Sequence, residues 1–143
     1  MSMSQHFHKV FAVGISCSWP FRLTREQVVA FAELSGDKNP IHFDPKAAAR
    51  CPIGKLSVPG MLGAFVFSRL LGTVFPGDGT IYRFQNLKFV KPLFVETDYV
   101  AMLKITRVMP GTHTALLSTD ILEKISMETV ILGRAKITNI ERL

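Results

Sequence analysis

Asp37 and His42 stand five residues apart in the run Ser35-Gly-Asp-Lys-Asn-Pro-Ile-His-Phe-Asp-Pro45. A carboxylate and an imidazole are the usual pair for moving protons near neutral pH. Pro40 lies between them, penalises helix through Asn39 and removes a backbone donor, so the two cannot share one continuous helix face. The run is therefore an ordered, irregular loop, and such a loop can fold back until the two groups converge. A turn in which Asp37 and Asn39 bond nearby backbone N–H groups, with His42 packed as an ordinary side chain, uses the same residues. Spacing alone leaves both readings open.

The loop needs elements on either side to hold it. Upstream, Thr24-Arg-Glu-Gln27 has the form of a capping box, with Thr at the N-cap and Gln three residues later. Val28, Phe31, Ala32 and Ser35 follow at helical spacing, and Gly36 sits where a C-cap glycine belongs. A short amphipathic helix thus delivers Asp37 at its C-terminal edge. Downstream, Pro45 to Arg50 forms one further helical turn with Pro45 at its start. Cys51 to Ser57, with Pro52 and Gly54, is a loop. The segment Pro59 to Gly72 is apolar almost all round, which predicts one buried helix. Arg69 and its short length argue against a membrane span. Gly60 has no side chain, so a substrate carbonyl could come close to its N–H at the helix start.

Strand patterns flank this helical middle. Phe11 to Phe21 reads as a first strand, with Pro20 near its end. After the Phe75-Pro-Gly-Asp-Gly79 turn come Ile81 to Val90, Tyr99 to Val108, Thr114 to Leu122 and Val130 to Ile140. Pro110-Gly111 signals a hairpin, and Ser126 to Glu128 turns the chain again. One early strand, helices, then four strands predicts an α+β fold with an antiparallel sheet around one helix. Strands as apolar as Ile121-Leu122 and Val130-Ile131-Leu132 predict a sheet edge that must be paired or covered.

The chain has 143 residues, which suits a single domain over residues 11–143 after a flexible N-terminus, residues 1–10. Nearly half the residues are hydrophobic and eleven are Phe, enough for a real core. Cys17 and Cys51 are too few for a disulfide scaffold, and no Cys/His cluster suggests a metal. His6 and His8 belong to the loose terminus. The N-terminus has one Lys and no apolar stretch, unlike a secretory signal, and a reduced cytoplasmic setting fits. The net charge of +6 comes from Lys and Arg spread along the chain, without any nucleic-acid-binding motif. Such a surface suits coenzyme A phosphates or the acidic face of an acyl carrier protein.

The run from Phe31 through Ser-Gly-Asp, Asn-Pro, Ile41 and His42 to Pro45 resembles the signature of the MaoC-like, or hydratase 2, branch of the hotdog superfamily. That branch contains (R)-specific enoyl-CoA hydratases and 3-hydroxyacyl-thioester dehydratases. The likeness continues through Val58-Pro-Gly-Met-Leu to Ser68 and through Leu87-Lys-Phe-Val-Lys-Pro-Leu-Phe94, so it covers most of the chain. It implies a hotdog fold, with Asp37 and His42 as the catalytic pair and the Gly60 N–H holding the thioester oxygen. Asn39 would brace the loop, and Ser68 would support the acid. The resemblance further implies an acyl-CoA or acyl-carrier-protein thioester as substrate and a homodimer or higher homo-oligomer, with the acyl pocket at the junction of two sheets. It implies no cofactor, no metal, and neither nucleic acid nor membrane as partner. The family usually has His before the Gly-Met that opens the central helix, where this chain has Pro59, which bears on pocket shape and acyl-chain preference. The competing readings are a non-catalytic hotdog subunit that binds acyl thioesters and, more distantly, a hotdog thioesterase. Thioesterases of this kind place a carboxylate on the central helix, and Met61 to Leu71 contains none.

Overall fold

The computed structural model describes residues 11–143; the flexible terminus expected over residues 1–10, with His6 and His8, lies outside the described residues. Five strands, β1 (Ser16–Arg22), β2 (Ile81–Phe89), β3 (Asp98–Met109), β4 (Thr114–Glu123) and β5 (Thr129–Thr138), form one antiparallel sheet in the order β1-β3-β4-β5-β2. Four α-helices lie between β1 and β2: α1 (Arg25–Ser35), α2 (Pro45–Arg50), α3 (Gly60–Ala64) and α4 (Val66–Thr73). Because β1 and β2 occupy opposite edges, the chain between them must cross a whole face of the sheet. It crosses with its most apolar segment. Phe67, Leu70 and Leu71 of α4 are buried with Ala101, Leu103, Ile105, Ala115, Leu117, Ile121, Ile131, Ala135 and Ile137 of the strands. The strand residues alternate in burial as period-2 elements do, so one face of the sheet curls around the helix. This is the hotdog arrangement that the resemblance implied.

Local signals are realised where expected. Thr24 accepts from the Gln27 N–H and Gln27 reaches back to the Thr24 N–H, completing the capping box. Gly36 ends α1 in the left-handed region at φ 76°. Asp44 caps α2, with Pro45 in its first turn.

Two expectations are corrected. The segment Pro59–Gly72 is not one helix buried all round: it breaks at Phe65 into α3 and α4, and Met61, Phe65, Ser68 and Arg69 form an uncovered stripe. Met61 is 61% exposed and Phe65 44%. Apolarity on every face had suggested full enclosure, but within one chain the sheet covers only one side. The second correction concerns the edge. The apolar runs at 121–122 and 130–132 lie in β4 and β5, which are interior strands. The apolar edge is β2 instead, where Ile81, Tyr82, Phe84 and Phe89 are all exposed. Among the described residues no helix is long and apolar enough to cross a membrane.

Candidate active site

The loop between α1 and α2 is built by short-range polar bonds. The Ser35 hydroxyl donates to the Phe31 carbonyl at 2.6 Å and accepts from the Asp37 N–H at 3.1 Å. Asp37 Oδ1 accepts from the Asn39 N–H and Asn39 Oδ1 from the Ile41 N–H, each at 3.3 Å. These are the bonds of consecutive Asx turns. A single 3-10 turn over Pro40–His42 then swings the imidazole inward. Arg25, at the start of α1, clamps the loop from behind: its guanidinium donates to the His42 carbonyl and lies 4.9 Å from the Phe43 ring centroid.

The turn bonds form, and Asp37 and His42 nonetheless line the same cleft. Asp37 is exposed and uses one oxygen locally, while His42 is only 7% exposed. His42 Nδ1 lies 2.7 Å from the Ser57 carbonyl oxygen and 3.4 Å from the Ser57 hydroxyl. A carbonyl can only accept, so Nδ1 carries a proton, and in the neutral ring Nε2 holds the free lone pair. Every fully buried side-chain polar atom among the described residues has a partner. Nε2 has no partner within the described chain, so it is reached from the cleft. A base with that tautomer held by a fixed acceptor is ready to take a proton at Nε2 without first reorienting.

The opposite wall is set by a tie far along the chain. Val58 and Leu93 form an isolated antiparallel bridge, the Val58 N–H reaching the Leu93 carbonyl at 2.7 Å. This bridge holds the segment entering α3 against the segment leaving β2. Between them and the loop lies a cleft of about 660 Å³, lined by Asp37, His42, Ser57 and Gly60 together with apolar Phe31, Met61 and Phe89. Lys91 is on its rim, its ammonium paired with Glu128 at 2.5 Å. Pro59 is buried as the N-cap of α3, and Gly60 is its first residue. The first N–H groups of a helix have no acceptor within it, so the Gly60 N–H is available to a ligand oxygen.

Asp37, His42 and Gly60 therefore meet at one cleft, and Asn39 braces the loop beneath them. Ser68 is elsewhere: it sits on the exposed stripe of α4 and does not line the cleft. Sequence reasoning passed over Ser57, Arg25, Phe89 and Lys91. The Ser57 contact is made by a backbone carbonyl, which no residue type announces. Phe89 lies in the Leu87-Lys-Phe run, but nothing local says which way its ring points.

A family model described as "MaoC like domain" matches residues 14–124. The (R)-specific enoyl-CoA hydratase of Aeromonas caviae is 42% identical over 109 residues, spanning 76% of this chain and 81% of that protein. The 3-hydroxybutyryl-CoA dehydratase of Methylorubrum extorquens is 33% identical over 106 residues, 74% of this chain and 68% of that protein. Among solved structures, the (R)-hydratase from A. caviae involved in PHA biosynthesis superposes with a TM-score of 0.84 at 36% identity, covering 90% of this chain and 97% of that one.

Proposed function

The chain belongs to the MaoC-like domain family, and from that premise we propose that its cleft adds water to trans-2-enoyl thioesters to form (R)-3-hydroxyacyl thioesters, or removes water in the reverse direction. The observation that supports this reading is that Asp37, His42 and Gly60 all line one largely apolar cleft. Asp37 and His42 hold the attacking water. As its oxygen bonds to C3, one of its protons passes to the pair, and the pair supplies a proton to C2, so the sum is water added across the double bond. His42 Nε2 is the accepting atom, because Nδ1 is committed to the Ser57 carbonyl. The Gly60 N–H donates to the thioester oxygen as enolate charge develops. One such donor is worth about 3 kcal/mol, roughly a hundredfold in rate.

The test is loss of absorbance at the enoyl-thioester band when purified protein meets crotonyl-CoA, with chiral analysis of the product. The expected result is (R)-3-hydroxybutyryl-CoA, formed with no added cofactor and unaffected by a chelator. An (S) product, or activity abolished by chelation, overturns the assignment. Longer enoyl-CoA and carrier-protein thioesters then define which carrier is used.

The same reading includes a homodimer. β2 offers an unpaired edge with exposed Ile81, Tyr82, Phe84 and Phe89, and the stripe of Met61 and Phe65 is uncovered as well. Natural proteins pair or cover such edges, and a symmetric two-fold pairing is the commonest way. Sedimentation at micromolar concentration is expected to give at least twice the 15.9 kDa chain mass. A strictly monomeric, fully active protein would sink the dimer and leave the loop pair standing.

A further inference from the structure

Phe89 ends the edge strand β2 and pairs with Ile131 of β5. Ile131 is buried, so the Phe89 side chain points to the concave face, toward the helix. Its ring stands on Gly60. A Cβ placed on Gly60 would lie 2.7, 2.9 and 3.2 Å from three ring carbons, the first two closer than real Cβ contacts come. The ring is nonetheless 48% exposed within one chain, and it lies on the edge where the homodimer reading places the junction. A side chain at position 60 and the Phe89 ring in its present place therefore exclude each other.

That position has a consequence for the acyl chain. A thioester whose oxygen accepts from the Gly60 N–H must put its first carbons within a few ångströms of the Phe89 ring. The apolar surface does not end there: Met61 lines the cleft, and Phe65, one helical turn on, is exposed beyond it. We propose that Phe89 is a specificity-determining residue whose ring, seated on Gly60, limits the length of acyl chain the cleft accepts. The inference rests on the enoyl-thioester reading above.

The experiment compares kcat/KM for trans-2-butenoyl-CoA and trans-2-octenoyl-CoA in wild type and in Phe89→Ala, Phe89→Leu and Phe89→Trp. One methylene more or less in an apolar pocket is worth about ten- to two-hundredfold in discrimination. Phe89→Ala is expected to raise the octenoyl-to-butenoyl ratio at least about tenfold. Phe89→Leu raises it less, and Phe89→Trp lowers it. A change confined to folding would alter the amount of active enzyme and leave the ratio where it was. An unchanged ratio in Phe89→Ala, or in Phe89→Leu should the alanine variant not fold, overturns the inference while the parent activity stands. A wild-type protein inactive on both substrates overturns the parent reading and this inference with it.

Discussion

Asp37→Asn and His42→Ala are each expected to lower kcat at least about a hundredfold while leaving the protein folded. Asparagine at 37 keeps an oxygen where Oδ1 now accepts from the Asn39 N–H, so the turn persists. It loses the negative charge, and with it the ability to take part in proton transfer. Alanine at 42 removes Nε2 outright. It also leaves the Ser57 carbonyl without its 2.7 Å donor, which costs about 1–3 kcal/mol of stability if water does not replace it. Circular dichroism alongside steady-state turnover of crotonyl-CoA separates the two effects. Near-normal turnover in both variants would mean that the loop is a structural turn and nothing more.

Gly133→Ala is expected to lower the melting temperature by about 10 °C, a loss of about 3 kcal/mol. Gly133 lies in β5, between β4 and the edge strand β2. A Cβ there would meet the Asn86 carbonyl oxygen at 2.7 Å, Thr119 Oγ1 at 2.7 Å and Gln85 Nε2 at 2.8 Å. These atoms belong to a polar bridge: Gln85 Nε2 donates to Thr119 Oγ1 and to the Asn86 carbonyl, each at 2.8 Å, and its Oε1 accepts from the Tyr82 hydroxyl. The Gln85 side chain crosses β5 through the gap that glycine leaves, and so links β2 to β4. A methyl group must push the β2 backbone away or break the bond to Thr119, which is fully buried. The first is overpacking and the second strands a buried hydroxyl. Thermal melting at one fixed protein concentration reads the result, since dimerisation would make it concentration-dependent. A shift of a degree or two would show that β2 adjusts freely and that the bridge contributes little.

The loop variants and Gly133→Ala act at different ranges, and so did legibility. The cap at Thr24 and Gln27, the left-handed Gly36, and the Asx bonds of Asp37 and Asn39 all join residues two to four apart. Residue type and spacing decide such bonds, which is why α1, the loop and the helical turn at Pro45 were readable. The four later strands were readable for a related reason. Alternation reports which side of a strand meets apolar surroundings, whatever those surroundings are. With the loop motif this was enough to point to Asp37, His42 and Gly60.

What the chain meets after a long excursion left no such local mark. Nothing near β2 indicates that it lies beside β5 at the far edge, because pairing order is settled by how the whole sheet closes. The same holds for the break at Phe65 and the open stripe beside it, since a helix apolar on every side looks the same whether its last face is covered by its own sheet or by another copy. His42 finds its partner in the Ser57 carbonyl, and the Phe89 ring finds Gly60, only when the Val58–Leu93 bridge draws distant segments together. Side-chain chemistry names which groups can react. Their tautomer, their neighbours and the walls around them follow from long-range packing, where a backbone carbonyl or the absence of a Cβ matters as much as any residue type.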